Sequence, residues 1–171
     1  MINSVYIGRN IFESKAVLTN TVNCVGVMGK GLALKFKIRY PEMYLDYERK
    51  CRSRSVKPGI PYVWCPGTED NINSGIINFP TKNHWRDPSQ LKWIVQGLEI
   101  ISYSYKEWKM DYIAIPPLGC GLGGLRWTAV YPVICEKLGG IDDLKIDIYA
   151  PENHLEYFPD KQNTADYTAM I

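Results

Sequence analysis

The apolar positions of the chain follow two different periods, one typical of strands and one typical of helices. Six short runs, rich in β-branched and aromatic residues, predict strands. These runs are Ser4–Ile7, Ala16–Val22, Tyr62–Trp64, Gly75–Phe79, Tyr112–Ile115 and Lys145–Tyr149. Helical patterns lie between most of them, and strands that alternate with helices form a mostly parallel sheet covered on both faces. The pattern therefore predicts an α/β fold in three layers, α/β/α.

Four helices are predicted from the 3.6-residue period. Gly29–Tyr40 and Glu42–Arg54 are separated by Pro41, which would end or kink the first of them. In Pro88–Lys109 the apolar residues recur at steps of three and four, as on one face of a helix packed against a sheet. The same spacing predicts a helix through Trp127–Leu138, which ends at a pair of glycines.

Two of these helices carry signals for where they begin. Asp87 can cap the third helix, and Pro88 suits its first position, where no backbone N–H is needed. Pro132 is compatible with the fourth helix only if that helix begins shortly before it.

The size and composition of the chain suit one intracellular domain. Its 171 residues contain no internal repeat, and we expect a core over residues 4–151 and an irregular acidic tail over 152–171. No apolar run approaches the roughly 20 residues of a membrane span, and the N-terminus lacks a signal-peptide pattern. Five cysteines without a CxxC pair, and only two histidines, argue against disulfides and against a metal site. We expect a cytoplasmic, soluble monomer.

The net charge of +2 hides a gradient along the chain. Residues 1–58 carry 11 Lys/Arg and 4 Asp/Glu, a net of +7, whereas residues 139–171 carry 2 and 7, a net of −5. Solvated helix faces explain such a gradient in many proteins. A basic rim that meets an anionic polymer is the functional alternative.

Two glycine-rich loops, each placed between a predicted strand and a predicted helix, carry the strongest functional signal. The first runs over Asn20–Gly31 and the second over Pro116–Gly124. Glycine lets the backbone approach a ligand closely, and amides that open a helix form an anion site. In open α/β sheets such loops line the usual ligand crevice. Two of them in one small domain suit a diphosphate held from both sides.

Neither loop fits a common nucleotide motif well. A P-loop would need glycine at position 24 and Ser or Thr at position 31, where the chain has Cys24 and Gly31. Gly119-x-Gly121-x-x-Gly124 does match GxGxxG, but two prolines separate it from its strand and it lies late in the chain. A dinucleotide oxidoreductase is therefore disfavoured, and so is a pair of glycine turns without a ligand.

Around these loops the sequence resembles a known family. Asn20-Thr-Val-Asn23 before a glycine loop is similar to the Asn-x-x-Asn signature of macro domains, which bind ADP-ribose. The segments NTVNCVGVMGKGLALKF, INFPTKNHWR and IPPLGCGLGGLRW resemble more narrowly the DarG-like branch of DNA ADP-ribosyl glycohydrolase antitoxins, related to the terminal ADP-ribose glycohydrolase. The similarity extends from about residue 5 to residue 151. It implies a six-stranded mixed sheet between helices, with ADP-ribose in a cleft at its crest.

The resemblance also implies positions for the ligand. Asn23 faces the distal ribose, the first loop forms the inner wall, the second loop holds the diphosphate, and the adenine lies near residues 10–11 and 149–153. The implied binding residues are Asn10, Ile11, Asn20, Asn23, Gly26, Val27, Met28, Gly29, Lys30, Gly31, Leu118, Gly119, Cys120, Gly121, Leu122, Gly123, Gly124, Tyr149, Pro151 and Asn153. Many macro domains read adenine with an aspartate after an early glycine. Here Asn10 substitutes for it, or the register differs by one residue.

The segment Phe79–Arg86 holds the candidate catalytic residues. The DarG-like branch carries its catalytic lysine in this FPTK segment, which implies that role for Lys82 rather than that of a surface lysine. A lysine with a depressed pKa can attack C1″ of the distal ribose, or it can stabilise the departing group electrostatically. The related human terminal ADP-ribose glycohydrolase uses an aspartate in the second glycine loop, where this chain has Gly123. His84 is then the candidate acid, with a structural role equally open.

Other side chains near the loops leave alternatives open. Trp85 and Arg86 can stack on and pair with a nucleic acid, or they only pack their own loop. Cys24 and Cys120 lie beside the glycine loops, but no base at a suitable spacing favours thiol chemistry.

The loops, Lys82 and the resemblance together predict an ADP-ribosyl glycohydrolase without a cofactor. The resemblance implies modified DNA bases as the preferred acceptor and a DarT-like ADP-ribosyltransferase toxin as partner. A non-catalytic ADP-ribose reader, and a hydrolase of ADP-ribosyl-glutamate esters or ADP-ribose 1″-phosphate, are the alternatives. DarG antitoxins usually carry a further C-terminal region, so the chain is either an excised domain or a stand-alone protein.

Overall fold

A computed structural model describes residues 1–66 and 75–152 of the chain. The predicted binding residue Asn153 and nearly all of the predicted acidic tail lie outside the described residues. Within the described part, no helix is long and apolar enough to cross a membrane.

All six predicted strands and all four predicted helices are present, with shifts of a few residues at their ends. The strands are β1 (Ile2–Ile7), β2 (Val17–Val22), β3 (Tyr62–Trp64), β4 (Ile76–Pro80), β5 (Tyr112–Ile115) and β6 (Lys145–Ala150). The helices are α1 (Gly31–Arg39), α2 (Pro41–Arg52), α3 (Leu91–Ser104) and α4 (Trp127–Leu138), and a short 3-10 turn lies at Ile11–Glu13.

The strands form one six-stranded sheet in the order β1-β6-β5-β2-β4-β3. Every neighbouring pair is parallel except β3 and β4, which are antiparallel. The sheet is therefore mixed and mostly parallel, as predicted. Because β2, β4 and β5 are parallel neighbours, the loops that follow them emerge at the same edge of the sheet.

Side chains alternate between the two faces of this sheet and build a separate core on each. In β5, Ile113 and Ile115 pack with α3 and α4, whereas Ala114 packs on the opposite face with α1 and α2. All three are fully buried. Helices cover both faces, which confirms the three-layer α/β/α arrangement.

Helix α3 approaches the sheet closely at one glycine. A Cβ atom on Gly97 would lie 2.2 Å from Cζ of Phe79, a fully buried residue of β4. Glycine normally weakens a helix interior. Here its missing side chain makes room for an aromatic ring between helix and sheet.

The predicted start of α3 was wrong. The helix begins at Leu91 with Gln90 at its N-cap, and Gln90 makes no side-chain capping bond. Asp87 instead closes a turn, because its N–H donates to the carbonyl of His84 at 3.0 Å. The residues after this turn are held by a hydrogen bond to the second glycine loop, because the N–H of Ser89 donates to the carbonyl of Gly123 at 2.9 Å.

Pro132 lies inside α4, further from its start than the sequence suggested. The helix begins at Trp127, so proline removes a bond to the carbonyl of Thr128. Thr128 is exposed, and water can take the place of the missing donor.

Candidate functional site

A large cavity lies where the two glycine loops and the loop after β4 meet at the carboxyl edge of the sheet. Its volume is about 1260 Å³, and all three loops contribute to its walls. This is the crevice that an open α/β sheet offers to a ligand. We call it the cleft.

Asn23 organises the first glycine loop from within. Its side-chain oxygen accepts from the N–H of Val25 at 3.0 Å and of Val27 at 3.4 Å, and its side-chain nitrogen donates to the Val27 carbonyl at 2.6 Å. Asn23 also lines the cleft, although it is only 7% exposed. One amide side chain therefore folds the loop and faces the ligand space.

A buried tyrosine of α2 holds Asn23 from below. The hydroxyl of Tyr47 lies 3.0 Å from both the backbone and the side-chain oxygen of Asn23, and donates to them. Tyr47 is fully buried, and this burial raises the pKa of its hydroxyl far above the usual range. The hydroxyl therefore remains a hydrogen-bond donor, and its buried hydrogen bonds fix Asn23 at the start of the first glycine loop.

The first loop ends at the N-terminus of α1. Lys30 is the N-cap of this helix and makes no side-chain capping bond, and Gly31 follows with a φ of +58°. The first backbone N–H groups of a helix have no partner within it, and they favour negative charge. Lys30 and Gly31 both line the cleft, so this end of it suits an anion.

The second loop is packed so closely that a side chain at position 123 would collide with the backbone of the same loop. A Cβ atom on Gly123 would lie 2.2 Å from the Gly119 carbonyl oxygen and 2.4 Å from the Ser89 hydroxyl oxygen. Gly119 itself has a φ of +70°, a conformation that favours glycine. An aspartate at this position, as in the terminal ADP-ribose glycohydrolase, would require the backbone of the loop to shift. Any chemistry in the cleft must proceed without it.

Lys82 reaches across the cleft from the loop after β4. Its ammonium donates to the Leu122 carbonyl at 2.5 Å, which links this loop to the second glycine loop. Partial burial lowers the pKa of Lys82 below its usual value, while the negative charge of Asp87 acts in the opposite direction. Lys82 therefore loses its proton more easily than a surface lysine does.

His84 is not among the residues that line the cleft. Its Nδ1 accepts from the N–H of Arg86 at 3.2 Å, and its ring lies beside that of Trp85 with centroids 5.3 Å apart. The structure therefore gives His84 a role in shaping its own loop. It provides no geometric support for His84 as the catalytic acid.

Some of the predicted binding residues line the cleft and others do not. Those that line the cleft are Asn23, Val27, Gly29, Lys30, Gly31, Gly119, Cys120, Gly121, Leu122, Gly123 and Pro151. Gly26 and Gly124 belong to the loops but do not line the cleft, and Leu118 and Ile11 are buried in the cores.

Asn20 and Met28 lie beneath the cleft rather than in it. Asn20 is fully buried, and its amide donates to the side chain of Asn78 in β4 at 3.2 Å and to the sulfur of Met28 at 3.8 Å. The prediction that these two residues contact the ligand is therefore not supported. They connect the first loop to the sheet.

The residues expected to contact the adenine do not all line the same cavity. Pro151 lines the cleft, but Asn10 and Tyr149 line a second, smaller cavity of about 390 Å³. Asn10 caps the 3-10 turn that follows β1, since its side chain accepts from the N–H of Phe12 at 3.2 Å. Tyr149 packs against Tyr6, with the ring centroids 5.0 Å apart and the rings tilted by 30°.

Several cleft residues were missed from the sequence. They include Thr21, Leu32, Ala33, Thr81, Leu125, Arg126, Trp127 and Thr128. Each lies within a few residues of one of the three loops, and this proximity was the available signal. Arg126 matters most for the electrostatics. With Lys30, Lys82 and Arg86 it makes four cationic side chains in the lining, and no Asp, Glu or His is among the described lining residues.

The two cysteines beside the loops are poor nucleophiles. Burial raises the pKa of the Cys24 thiol to about 12 and that of the Cys120 thiol to about 12. Thiolates, not thiols, are the reactive species. In the described residues, no cluster of His, Cys, Asp or Glu is arranged to hold a metal ion.

Comparison with known proteins identifies the family of the chain that forms this cleft. Residues 19–134, well over half of the chain, match the model of the Macro domain family. The chain belongs to the Macro domain family. The matched span contains the first glycine loop, the Lys82 loop and the second glycine loop.

Relatives of this macro domain belong to the DarG branch that the sequence resembled. The DNA ADP-ribosyl glycohydrolase of Mycobacterium tuberculosis is 46% identical over 134 residues, which are 78% of this chain and 38% of that protein. The solved macrodomain of Mycobacterium tuberculosis DarG is 40% identical, with a TM-score of 0.78 over 86% of this chain and 97% of that one. Thermosipho africanus DarTG, solved in complex with ADP-ribose, is 34% identical, with a TM-score of 0.77 over 86% and 42%. The chain spans less than half the length of the curated relatives it matches.

Proposed function

We propose that this macro domain is an ADP-ribosyl glycohydrolase that removes ADP-ribose from modified DNA bases. The observation that carries the proposal is Lys82, with its lowered pKa, in a cleft walled by both glycine loops. The names of the relatives, DNA ADP-ribosyl glycohydrolase, supply the acceptor. The diphosphate would lie between the loops near Lys30, and the distal ribose near Asn23.

The reaction exchanges one bond at C1″ for another. The bond from C1″ to the base nitrogen breaks, water supplies a hydroxyl group to C1″, and the released base gains the second proton of that water. No carboxylate or imidazole is found among the described lining residues. In this proposal water or the ammonium of Lys82 therefore supplies the proton that the leaving base takes up.

Two roles for Lys82 are compatible with this balance. As a nucleophile, the neutral amine bonds to C1″ as the base leaves and becomes an ammonium. This ammonium gives a proton to the ring oxygen as the bond from C1″ to that oxygen breaks, which leaves an open-chain iminium. Water then adds to C1″, the amine leaves, and the ring closes again. As an electrostatic group, the ammonium stabilises negative charge on the departing base while water attacks directly. The pKa lowered by burial favours the first role, because it increases the neutral fraction. Borohydride reduces an iminium to a stable amine, so it attaches ADP-ribose covalently to the protein only if the first role holds.

The central experiment compares Lys82→Ala with Lys145→Ala on an ADP-ribosylated oligonucleotide. Lys145 is exposed at the start of β6, at the edge of the sheet opposite the cleft, so it is a matched control. We expect Lys82→Ala to lose at least about 100-fold in rate, in the range of other catalytic acids, bases and nucleophiles. Release of ADP-ribose at the parental rate by Lys82→Ala would contradict the catalytic assignment.

A panel of substrates separates the proposal from its alternatives. It contains the DNA base adduct, an ADP-ribosyl-glutamate ester and ADP-ribose 1″-phosphate. Faster release from either ester would move the activity to that class. If every adduct remains intact while calorimetry shows ADP-ribose binding, the domain is a reader.

The proposal extends to a partner enzyme. A Thermosipho africanus relative is named as a fusion of a DNA ADP-ribosyl transferase with a DNA ADP-ribosyl glycohydrolase. We therefore expect this domain to reverse the product of a DarT-like transferase in the cytoplasm, a location that its five free cysteines suit. Co-expression should relieve the toxicity of such a transferase, and the Lys82→Ala variant should fail to do so.

A further inference from the structure

The wall of the cleft beside Lys82 carries an exposed aromatic ring to which the proposed reaction assigns no role. Trp85 lines the cleft and is 46% exposed. The guanidinium of Arg86 lies over its indole, 4.5 Å from the ring centroid, and Arg86 also lines the cleft. A large apolar side chain held in this way at the mouth of a site is available for a ligand.

The loop that carries this pair is held in place by hydrogen bonds at several points. The N–H of Thr81 donates to Val22 and the N–H of Cys24 donates to Asn83, each at 3.0 Å, which ties the loop to the first glycine loop. Further along, the turn from His84 to Asp87 closes on itself, as described above. The indole and guanidinium are therefore presented on a fixed base, three and four residues after Lys82.

The charge of the cleft is larger than the diphosphate of ADP-ribose requires. Lys82, with its lowered pKa, serves the proposed reaction. The N-terminus of α1 at Lys30 serves the diphosphate. Arg86 and Arg126 remain, from the Lys82 loop and from the N-cap of α4. No carboxylate among the described lining residues pairs with either of them. Within residues 1–66 and 75–152 neither of them forms an ion pair, so both can contact further phosphates.

We infer that Trp85 and Arg86 form a subsite for the single-stranded DNA that carries the modified base. This inference rests on the proposed function, because it describes the acceptor of that reaction. A base next to the modified nucleotide stacks on the exposed part of the indole, and Arg86, with Arg126, pairs with flanking phosphates. Stacking on an aromatic side chain requires an unpaired base, which selects a single strand. A glutamyl peptide offers neither stacked bases nor regularly spaced phosphates.

Binding measurements on the Lys82→Ala background test the subsite, because the adduct then stays intact. The ligands are an ADP-ribosylated single-stranded oligonucleotide, the same oligonucleotide unmodified, and free ADP-ribose. Trp85→Ala is expected to weaken the modified oligonucleotide about tenfold or more, the scale of base–aromatic stacking, while it changes free ADP-ribose less than about twofold. Trp85→Phe should recover part of the loss.

Arg86→Ala should reduce the slope of log affinity against log salt for the oligonucleotide by about 0.7, the value for one phosphate of a single strand. The matched controls are Tyr103→Ala, on a side chain 84% exposed on α3, and Arg52→Ala, on a side chain 77% exposed that pairs with Glu48. Neither control residue lines the cleft. Thermal unfolding of each variant verifies that it is folded.

Each outcome bears on the inference in a definite way. An equal loss for free ADP-ribose would place Trp85 against ADP-ribose itself and overturn the subsite, as would oligonucleotide affinities unchanged in both variants. Failure of the proposed function is a different result, since it leaves every adduct intact in the parent protein. A Trp85-dependent preference for the oligonucleotide in that case supports the subsite while the catalytic proposal fails.

Discussion

Replacing Gly123 by alanine is the sharpest test of how the second glycine loop is built. The new Cβ would lie 2.2 Å from the Gly119 carbonyl oxygen and 2.7 Å from its carbonyl carbon. Both are backbone atoms, which cannot swing aside as a flexible side chain can. Such overpacking forces a backbone shift, here of about 1 Å, and typically costs about 1–3 kcal/mol. For a chain of this length the expected fall in Tm is about 2–12 °C.

The same loop provides two matched controls. A Cβ on Gly121 or on Gly124 meets no atom within 4 Å, so neither substitution is sterically crowded. Gly124 has a φ of +77°, and alanine there should cost about 1 kcal/mol through backbone strain alone. Gly121→Ala should stay within about 0.5 kcal/mol of the parent. The expected order of stability is therefore Gly121→Ala, then Gly124→Ala, then Gly123→Ala.

Urea and thermal unfolding measure this order, and calorimetry with ADP-ribose measures its consequence for the cleft. The shifted loop should bind ADP-ribose more weakly in Gly123→Ala. Removing the Ser89 hydroxyl oxygen, the second close atom, should not restore stability, because the Gly119 carbonyl remains in the way. If Gly123→Ala unfolds at the same temperature as Gly121→Ala, the packing argument is refuted. An aspartate at position 123 would then be possible after all.

Three further predictions follow from burial and packing. Gly97→Ala should destabilise the protein by about 1–3 kcal/mol in urea unfolding, although alanine favours helices, because its Cβ would lie 2.2 Å from the ring of Phe79; a stabilised variant would contradict this. The rate of ADP-ribose release should depend on pH through the lowered pKa of Lys82: it rises to a plateau as the amine loses its proton if the amine attacks, and it falls over the same range if the ammonium acts electrostatically. A flat profile would exclude both roles. Iodoacetamide at pH 8 should label Cys24 slowly in the folded protein and rapidly in urea, since burial raises its thiol pKa to about 12, and equal rates would contradict that burial.

Strands and helices were predictable because each leaves a local periodicity in the chain. Tyr62–Trp64 and Tyr112–Ile115 were predicted with the bounds that the structure has. The errors came where tertiary contacts outweigh local preference. Asp87 and Pro88 carry good helix-start signals, but the hydrogen bond from Ser89 to Gly123 holds this segment in turns and delays the helix.

The glycine loops show the same division within the site. Their glycines, and their position after strands, are properties of the sequence and indicate a cleft for a diphosphate. Which loop residues face that cleft depends on partners distant in the chain. Asn20 and Asn23 belong to one motif, but they have different partners. Asn20 donates to Asn78 of β4 beneath the cleft, whereas Asn23 accepts from Tyr47 of α2 and lines the cleft.

The sequence by itself determined the α/β class, the order of the elements, the three loops that meet at the cleft and the resemblance to macro domains. These rest on periodicity, glycine and short motifs, all of which act over a few residues. Only the tertiary structure showed that position 123 has no room for a side chain and that His84 lies outside the cleft lining. It also showed that Lys82 links the loop after β4 to the second glycine loop. Each depends on atoms brought together from separate elements, and distances between such atoms are set by packing rather than by local pattern.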